Sequence, residues 1–352
     1  MKLNTEEVKR YSRHIILPEI GLEGQEKLKQ AKVLVIGAGG LGCPVLQYLT
    51  AAGVGTIGII DFDRVEESNL QRQILYSVGD IGKYKAEVAK EKLSKQNPYI
   101  NLTSHISHLT SSNAIEVISN YDIIVDGSDN FATRYLVNDA CVFLKKPLVF
   151  GSIFKFDGQV SVFNYKDGPT YRCLYPDPPA NGEVPNCAEI GVIGVLPGII
   201  GTLQANEVIK IITGIGEVLS GRLLAFDALS VQFNTFDIVA HAENKKINKL
   251  IDYDIFCGNS KEISAEELKQ KINSKEDFQL VDVRELAEYQ IKNIGGTLIP
   301  LGELAANINK LNIEKETIIH CASGVRSKKA VIFLLEKGFK KVYNLKNGLL
   351  DF

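Results

Sequence analysis

Hydrophobic residues along this chain fall into short continuous runs separated by glycine-rich or polar stretches. Residues 33–36 (VLVI), 58–61 (GIID) and 123–126 (IIVD) have the length and composition of parallel strands covered by helices on both faces. Residues 43–52 predict a helix between the first two strands, with Pro44 in its first turn, where a missing N–H does no harm. This order predicts an α/β fold with a doubly wound, Rossmann-like sheet.

A second α/β pattern begins after a polar, lysine-rich stretch at residues 246–260, which we interpret as a linker. The linker divides the chain into a first domain, residues 1–245, and a smaller second domain, residues 261–352. Predicted strands of the second domain are residues 278–284, 317–320 and 341–344, and predicted helices are residues 265–272 and a segment ending at Leu335.

A glycine-rich turn follows the first strand, where Gly37, Gly39 and Gly42 fit G-x-G-x-x-G. This pattern allows a tight turn, a close approach to phosphate and a helix N-terminus pointing at it. Asp61 ends the second strand at the spacing where an acidic residue commonly meets a ribose hydroxyl. A bound nucleoside is favoured over a purely structural turn, although dehydrogenases, flavoproteins and nucleotidyl transferases all share the pattern.

Polar and cationic residues are dense from Asp61 to Gln73 and around Lys85. They suit a triphosphate, whose developing charge needs cationic clamps, better than a hydride acceptor. Asp129 follows the strand at residues 123–126, so it would lie at the ligand-binding edge of the sheet and could hold magnesium. The same place is equally compatible with a helix N-cap by Ser128 or Asp129.

Composition excludes several classes of function. A net charge of −2 without a long basic run argues against nucleic-acid binding, and no apolar run reaches 18 residues or forms an export leader. The expectation is therefore a cytoplasmic protein with neither nucleic-acid nor membrane partners. Six cysteines are too few for a disulfide framework in a chain of 352 residues.

The first domain resembles the ubiquitin-activating-enzyme-like adenylyltransferases, the MoeB and ThiF group, over roughly residues 5–245. The matching motifs are residues 37–42, 61–63, 68–73, 129–130, 158–160, 187–192 and 197–201, with Lys85. Enzymes of that group use ATP to adenylate the C-terminal glycine of a ubiquitin-like sulfur carrier protein. The resemblance implies the same reaction here, with a carrier ending in Gly-Gly.

The resemblance also implies site residues. The implied contacts to ATP or its magnesium are Gly37, Gly39, Gly40, Gly42, Asp61, Asp63, Ser68, Asn69, Leu70, Gln71, Arg72, Lys85, Asp129 and Asn130. Arg72 and Lys85 would stabilise phosphate charge while Asp129 holds magnesium, so catalysis works by positioning and electrostatics and needs no general base. Arg13, by itself usually a solvated charge on the N-terminal helix, is implied to reach a neighbouring subunit's site, which predicts a homodimer.

Cys187 follows a Pro/Gly/Asn-rich stretch, residues 176–185, that predicts a long mobile loop. From the sequence alone, its thiol is either incidental or a nucleophile that takes the activated acyl group. The resemblance favours the nucleophile, as a thioester or acyl-disulfide link to the carrier.

Many relatives hold a structural zinc with two C-x-x-C pairs, and this chain departs from that pattern. The corresponding places begin with Thr170 and Asp254 and end with Cys173 and Cys257. Two thiolates, with at best Asp254 as a third ligand, fall short of four-coordinate zinc. We therefore expect no structural zinc.

Cys321 lies between a predicted strand and a helix N-terminus, where loop N–H groups and Arg326 favour its thiolate. With residues 282–284, 288–289 and 295–296, it resembles a rhodanese domain, and the Cys321 to Arg326 spacing is that of sulfurtransferases rather than of the related phosphatases. The resemblance implies a Cys321 persulfide, cradled by Ser323, Gly324, Arg326 and Ser327, that converts the adenylated carrier to a thiocarboxylate.

Two alternatives remain at this point. The rhodanese-like domain could merely dock the carrier or a sulfur donor, although the intact Cys321 loop argues against this. An adenylating dehydratase that acts on tRNA is the other, but such relatives lack a rhodanese domain. The sequence leaves open the pathway and whether the sulfur donor is thiosulfate or a cysteine desulfurase.

Overall fold

A computed structural model describes residues 2–179, 191–257 and 261–352. The chain forms two compact units, Met1–Ile251 and Asp252–Phe352. The division lies inside the stretch interpreted from sequence as a linker.

The first unit is built on an eight-stranded sheet with the order β3-β2-β1-β4-β5-β6-β7-β8. Its strands are β1 (Lys32–Ile36), β2 (Thr56–Ile60), β3 (Asn101–His105), β4 (Ile123–Asp126), β5 (Leu148–Phe154), β6 (Asp157–Phe163), β7 (Arg222–Asp227) and β8 (Gln232–Asp237). Strands β1 to β5 pair in parallel, whereas β5-β6, β6-β7 and β7-β8 are antiparallel. The doubly wound prediction is confirmed for the parallel half, and the antiparallel extension was not foreseen.

Helices connect these strands. They are α1 (Thr5–Arg10), α2 (Ser12–Ile15), α3 (Gly21–Gln30), α4 (Gly42–Ala52), α5 (Lys85–Gln96), α6 (Ala114–Ser119), α7 (Phe131–Leu144), α8 (Tyr171–Leu174) and α9 (Leu196–Thr213). Helix α4 is apolar on nearly every side because it is buried against α9. It ends at Gly53, whose φ of 81° is the left-handed conformation that glycine adopts readily.

The second unit has a five-stranded parallel sheet with the order β11-β10-β12-β13-β9. Its elements are β9 (Lys261–Ile263), β10 (Gln279–Asp282), β11 (Thr297–Leu298), β12 (Thr317–His320), β13 (Val342–Leu345), α10 (Tyr253–Phe256), α11 (Ala265–Asn273), α12 (Leu286–Ile291) and α13 (Val325–Glu336). Ser264 and Glu267 form a capping box that starts α11. The core packs Val281, Ile319 and Val331 between sheet and helices.

A search of the described helices for one that is both long and apolar enough to span a membrane finds none.

Candidate active sites

The glycine-rich turn after β1 is shaped by close backbone approaches. Gly37 has a φ of 87°, and a Cβ on it would lie 2.8 Å from the Gly127 carbonyl oxygen. A Cβ on Gly42 would lie 1.9 Å from the Gly37 oxygen, so neither position accommodates a side chain. A Cβ on Gly39 would instead meet only Gln73 Nε2, at 3.6 Å. Gly37 and Gly42 therefore set the turn, and Gly39 leaves open space beside it.

Asp61 directly follows β2 and ties its carboxylate to two backbone segments. The Ala38 N–H donates to Oδ2 at 2.7 Å and the Asp63 N–H donates to Oδ1 at 2.8 Å. Burial raises the pKa of Asp61, and the Ala38 N–H and Lys85 oppose that rise. Each oxygen retains a further lone pair, so Asp61 can still accept a ligand hydroxyl.

Cations lie in the same cleft. The ammonium of Lys85, whose side chain is 7% exposed, forms a 3.0 Å ion pair with the 64% exposed Asp63. Arg72 Nη1 donates to the Ser68 carbonyl oxygen at 3.0 Å, and Arg72 makes no salt bridge with a described carboxylate. A polyanion would therefore meet the guanidinium of Arg72, which no described carboxylate pairs, and the ammonium of Lys85, whose partner Asp63 is exposed.

In the loop after β4, one residue caps the next helix and another has a carboxylate with no described hydrogen-bond partner. Asn130 Oδ1 accepts a hydrogen bond from the Thr133 N–H at 2.9 Å and caps α7. The alternative of a cap by Ser128 or Asp129 is therefore wrong. Ser128 instead donates to the buried Asp126, through both its N–H and its Oγ. Asp129 is exposed and makes no hydrogen bond with any described residue, so its oxygens are available to a cation.

One cleft joins most of the residues implied for the nucleotide. Its lining includes Gly37, Gly39, Gly40, Asp61, Asp63, Arg72, Lys85, Asp129 and Asn130. The lining does not include Gly42, Ser68, Asn69, Leu70 or Gln71, which form the turn and the segment beside it. Sequence reasoning missed Arg134, which also lines the cleft, packs near Phe150 and has a buried Nε that no described residue bonds. Its position one helical turn beyond Asn130 was the available signal.

Two further residues named from sequence lie elsewhere. Arg13 is exposed on α2 and does not line this chain's cleft. Cys187 lies outside the described residues.

The Cys173 sulfur is surrounded by hydrogen-bond donors. Its sulfur receives the Thr170 N–H at 3.4 Å, the His241 N–H at 3.4 Å and Asn244 Nδ2 at 3.6 Å, with Thr170 Oγ1 at 3.5 Å. Burial raises the pKa of the thiol, but these donors outweigh it and the pKa is lowered. Across the described ranges, no group of three His, Cys, Asp or Glu residues is placed to hold a metal ion.

The second candidate site is the loop between β12 and α13. The Cys321 thiol is buried, with Ser327 Oγ 3.3 Å from its sulfur. Gly324, at a φ of 85°, begins α13, and the Leu349 N–H donates to the carbonyl oxygens of Cys321 and Ala322, each at 3.0 Å. The C-terminal segment therefore braces the loop, a support that the sequence did not indicate.

The electrostatics of this loop favour a thiolate. Burial alone would raise the pKa of Cys321. The Ser327 hydroxyl and the N–H groups of Ser323, Arg326 and Ser327 outweigh burial, and the pKa is lowered. The Arg326 guanidinium is paired with Glu288 through two contacts of 2.6 Å. The loop can thus hold a sulfur anion at Cys321 through neutral donors.

Comparisons with known proteins agree with this division. The sequence profile of the ThiF family matches residues 11–248, and that of the rhodanese-like domain matches residues 264–352. A probable adenylyltransferase/sulfurtransferase MoeZ of Mycobacterium tuberculosis is 46% identical, over 99% of this chain and 93% of its own length. A sulfur carrier protein adenylyltransferase of Thermus thermophilus is 51% identical, over 73% of this chain and 99% of its own.

Two further proteins are similar to this chain: one curated relative, whose name gives both an adenylyltransferase and a sulfurtransferase activity, and one protein of known structure. The adenylyltransferase and sulfurtransferase MOCS3 of Culex quinquefasciatus is 46% identical, over 87% of this chain and 75% of its own length. The crystal structure of E. coli MccB with ATP has a TM-score of 0.59 and 25% identity, over 68% of this chain and 73% of that chain.

Proposed function

The chain belongs to the ThiF family and carries a rhodanese-like domain, and from that premise we propose that it activates a sulfur carrier protein and then sulfurates it. The first unit would use ATP to adenylate the carrier's C-terminal glycine. The second would deliver sulfur from Cys321. The observation that carries the proposal is the presence, on one chain, of a cleft lined by a glycine-rich turn with Arg72 and Lys85 and of a loop whose donors lower the pKa of Cys321.

The donor set of the first cleft fits ATP. The open space at Gly39 leaves room for a phosphate against the turn, and Asp61 has lone pairs for a ribose hydroxyl. Arg72 and Lys85 line the same cleft, where they would meet the phosphates. Magnesium would be held by Asp129, whose exposed carboxylate has no described partner, and it would neutralise phosphate charge.

The proposed adenylation is a displacement at phosphorus. A carboxylate oxygen of the carrier attacks the α-phosphorus of ATP, and pyrophosphate leaves with the developing charge. Arg72 and Lys85 stabilise that charge, and Arg134 is a further candidate because its guanidinium faces the same cleft. The protein orients the two reactants, so no residue has to remove a proton.

Sulfur transfer follows at the activated carbonyl. The outer sulfur of a Cys321 persulfide attacks the carbonyl carbon and AMP leaves, which gives an acyl disulfide between carrier and Cys321. A thiol then attacks the Cys321 sulfur, releases the thiocarboxylate and forms a disulfide with Cys321. Cys187 is our candidate for a thiol that takes the activated acyl group, as a thioester or acyl-disulfide link to the carrier. We also propose a cytoplasmic homodimer, in which the exposed Arg13 reaches the partner's cleft.

Carrier-dependent exchange of pyrophosphate into ATP tests the first activity. Arg72→Ala or Asp129→Ala should each reduce exchange about a hundredfold, since each removes one preorganised contact to the reacting phosphates or their cation. Lys27→Ala, which removes an exposed cation on α3 outside the cleft, should leave exchange unchanged. Parent-level exchange in both cleft variants would refute the assignment.

A further inference from the structure

Gln73 is a buried polar residue on the wall of the nucleotide cleft. It is 4% exposed and is one of the residues that line the cleft. Its Oε1 has no hydrogen-bond partner among the described residues. A polar group that is removed from water without a partner costs free energy, so its presence indicates a contact that the free protein does not make.

The nitrogen of the same amide faces the glycine-rich turn. A Cβ placed on Gly39 would have Gln73 Nε2 as its neighbour, at 3.6 Å. The open space over Gly39, where a phosphate would lie, therefore has an amide donor on one side. An oxygen in that space can approach the nitrogen to about 2.9 Å, the usual distance for an N–H donor and an oxygen acceptor.

The place of Gln73 along the turn identifies the phosphate that it would meet. The N–H of the residue before Gly39 donates to Asp61, the proposed ribose contact, at 2.7 Å. A Cβ on the residue after it, Gly40, would lie 3.8 Å from Cγ of Arg72, a proposed contact of the outer phosphates. Gln73 faces the turn between these two groups. In ATP, the α-phosphate is what joins the ribose to the outer phosphates.

Backbone and side-chain hydrogen bonds hold Gln73 in this place. Its N–H donates to the Asn69 carbonyl oxygen at 2.9 Å, and its own carbonyl oxygen accepts from the Tyr76 N–H at 3.1 Å. The Tyr76 hydroxyl donates to the Ala38 carbonyl oxygen at 2.7 Å, which ties this segment to the glycine-rich turn. A donor that is fixed before the reaction needs little reorganisation in the transition state.

We propose that Gln73 is a catalytic residue of adenylation, which donates a hydrogen bond from Nε2 to a non-bridging oxygen of the α-phosphate. The inference rests on the proposed adenylyltransferase activity and adds a residue to it. In that reaction the carrier's carboxylate oxygen forms a bond to the α-phosphorus, and the bond from this phosphorus to the bridging oxygen breaks as pyrophosphate leaves. The non-bridging oxygens move as phosphorus becomes five-coordinate, so a fixed donor stabilises the transition state more than bound ATP.

Gln73→Met tests this role on the full chain. Methionine has a similar size and no donor, so kcat for carrier-dependent pyrophosphate exchange should fall about a hundredfold, with little change in KM for ATP. ATP binding, measured by calorimetry without the carrier, should stay near that of the parent. The substitution removes a buried amide with an unpaired oxygen, so the melting temperature should stay equal or rise.

Phosphorothioate analogues test the contact itself. Exchange is compared for the two diastereomers of ATP that carry sulfur in place of one non-bridging α-oxygen. The parent should prefer one diastereomer, because sulfur accepts hydrogen bonds weakly. Gln73→Met should reduce that preference about tenfold, as expected for the loss of one hydrogen bond to a charged oxygen.

A control variant and three outcomes decide the matter. Gln30→Met makes the same change at an exposed position at the end of α3, and it should alter neither exchange nor the diastereomer preference. Parent-level kcat in Gln73→Met would overturn the role of Gln73. A lower kcat together with a lower melting temperature and an unchanged diastereomer preference would also overturn it, since Gln73 would then be structural. A parent protein without carrier-dependent exchange would overturn the proposed adenylation itself.

Discussion

The Cys321 thiol shows how neutral groups can tune a nucleophile. Its pKa is lowered although the side chain is buried, because hydrogen bonds from the Ser327 hydroxyl and from three backbone N–H groups outweigh the effect of burial. Ser327 Oγ lies 3.3 Å from the sulfur and 3.1 Å from the Gly324 carbonyl oxygen. A thiolate draws the hydroxyl proton toward itself, and this hydrogen bond favours the charged form.

Ser327→Ala should therefore raise the pKa of Cys321 toward that of an ordinary thiol. The alkylation rate of Cys321, followed against pH, should keep its sigmoid form with a midpoint at higher pH. At pH values below both midpoints, the rate should fall about tenfold for each pH unit by which the midpoint rises. Ser323→Ala is the matched control, since Ser323 acts on the pKa of Cys321 through its backbone N–H, which the substitution keeps. A midpoint shared by Ser327→Ala and the parent would contradict this account.

Residues tied to a local motif could be foreseen from sequence, and residues that act across the fold could not. Gly37, Gly42 and Asp61 occupy fixed places in a strand, turn, strand pattern, so their spacing alone identified them. Arg134 enters the cleft only because α7 begins at its edge. Glu288 and Arg326 are 38 positions apart in the sequence and lie on different helices, and no periodicity in the sequence indicates such a contact.

At the scale of elements, continuous apolar runs identified six of the parallel strands, β1, β2, β4, β10, β12 and β13, with end points correct to one or two residues. The parallel strands β3, β5, β9 and β11 were not predicted. The predicted strand at residues 58–61 begins earlier, at Thr56, and Asp61 lies just outside it. The antiparallel strands β6 to β8 were not predicted either, and β8 in particular is exposed throughout, so it has no buried alternating face.

The turn of helix α8 bears on the expectation that the chain holds no structural zinc. Thr170 caps the turn where relatives have a cysteine, and N–H groups of Thr170, His241 and Asn244 surround the Cys173 sulfur. N–H groups cannot ligate a metal, so these three described neighbours of Cys173 supply no ligand for a four-coordinate site. Metal analysis of the purified protein should give well under one zinc per chain. One zinc per chain that is lost in Cys173→Ala would contradict the expectation.

At the scale of the whole molecule, each unit has its own sheet, core and candidate active site. The composition shift near residue 246 and the return of the strand and helix pattern made this division foreseeable. Independent cores imply that a substitution in one centre leaves the other folded. The proposed activities should therefore be separable by mutation, although they act on the same carrier.

Cys321→Ala should abolish thiocarboxylate formation on the carrier while leaving pyrophosphate exchange intact, because adenylation needs only the first unit. Mass spectrometry of the carrier after incubation with ATP and a sulfur donor would show replacement of oxygen by sulfur at its C-terminus in the parent alone. Cys173→Ala, which removes a thiol outside both centres, should retain both activities. If Cys321→Ala makes thiocarboxylate as fast as the parent, the rhodanese-like domain serves only to dock the carrier or the sulfur donor. A loss of exchange in Cys321→Ala would show that the two units do not act independently.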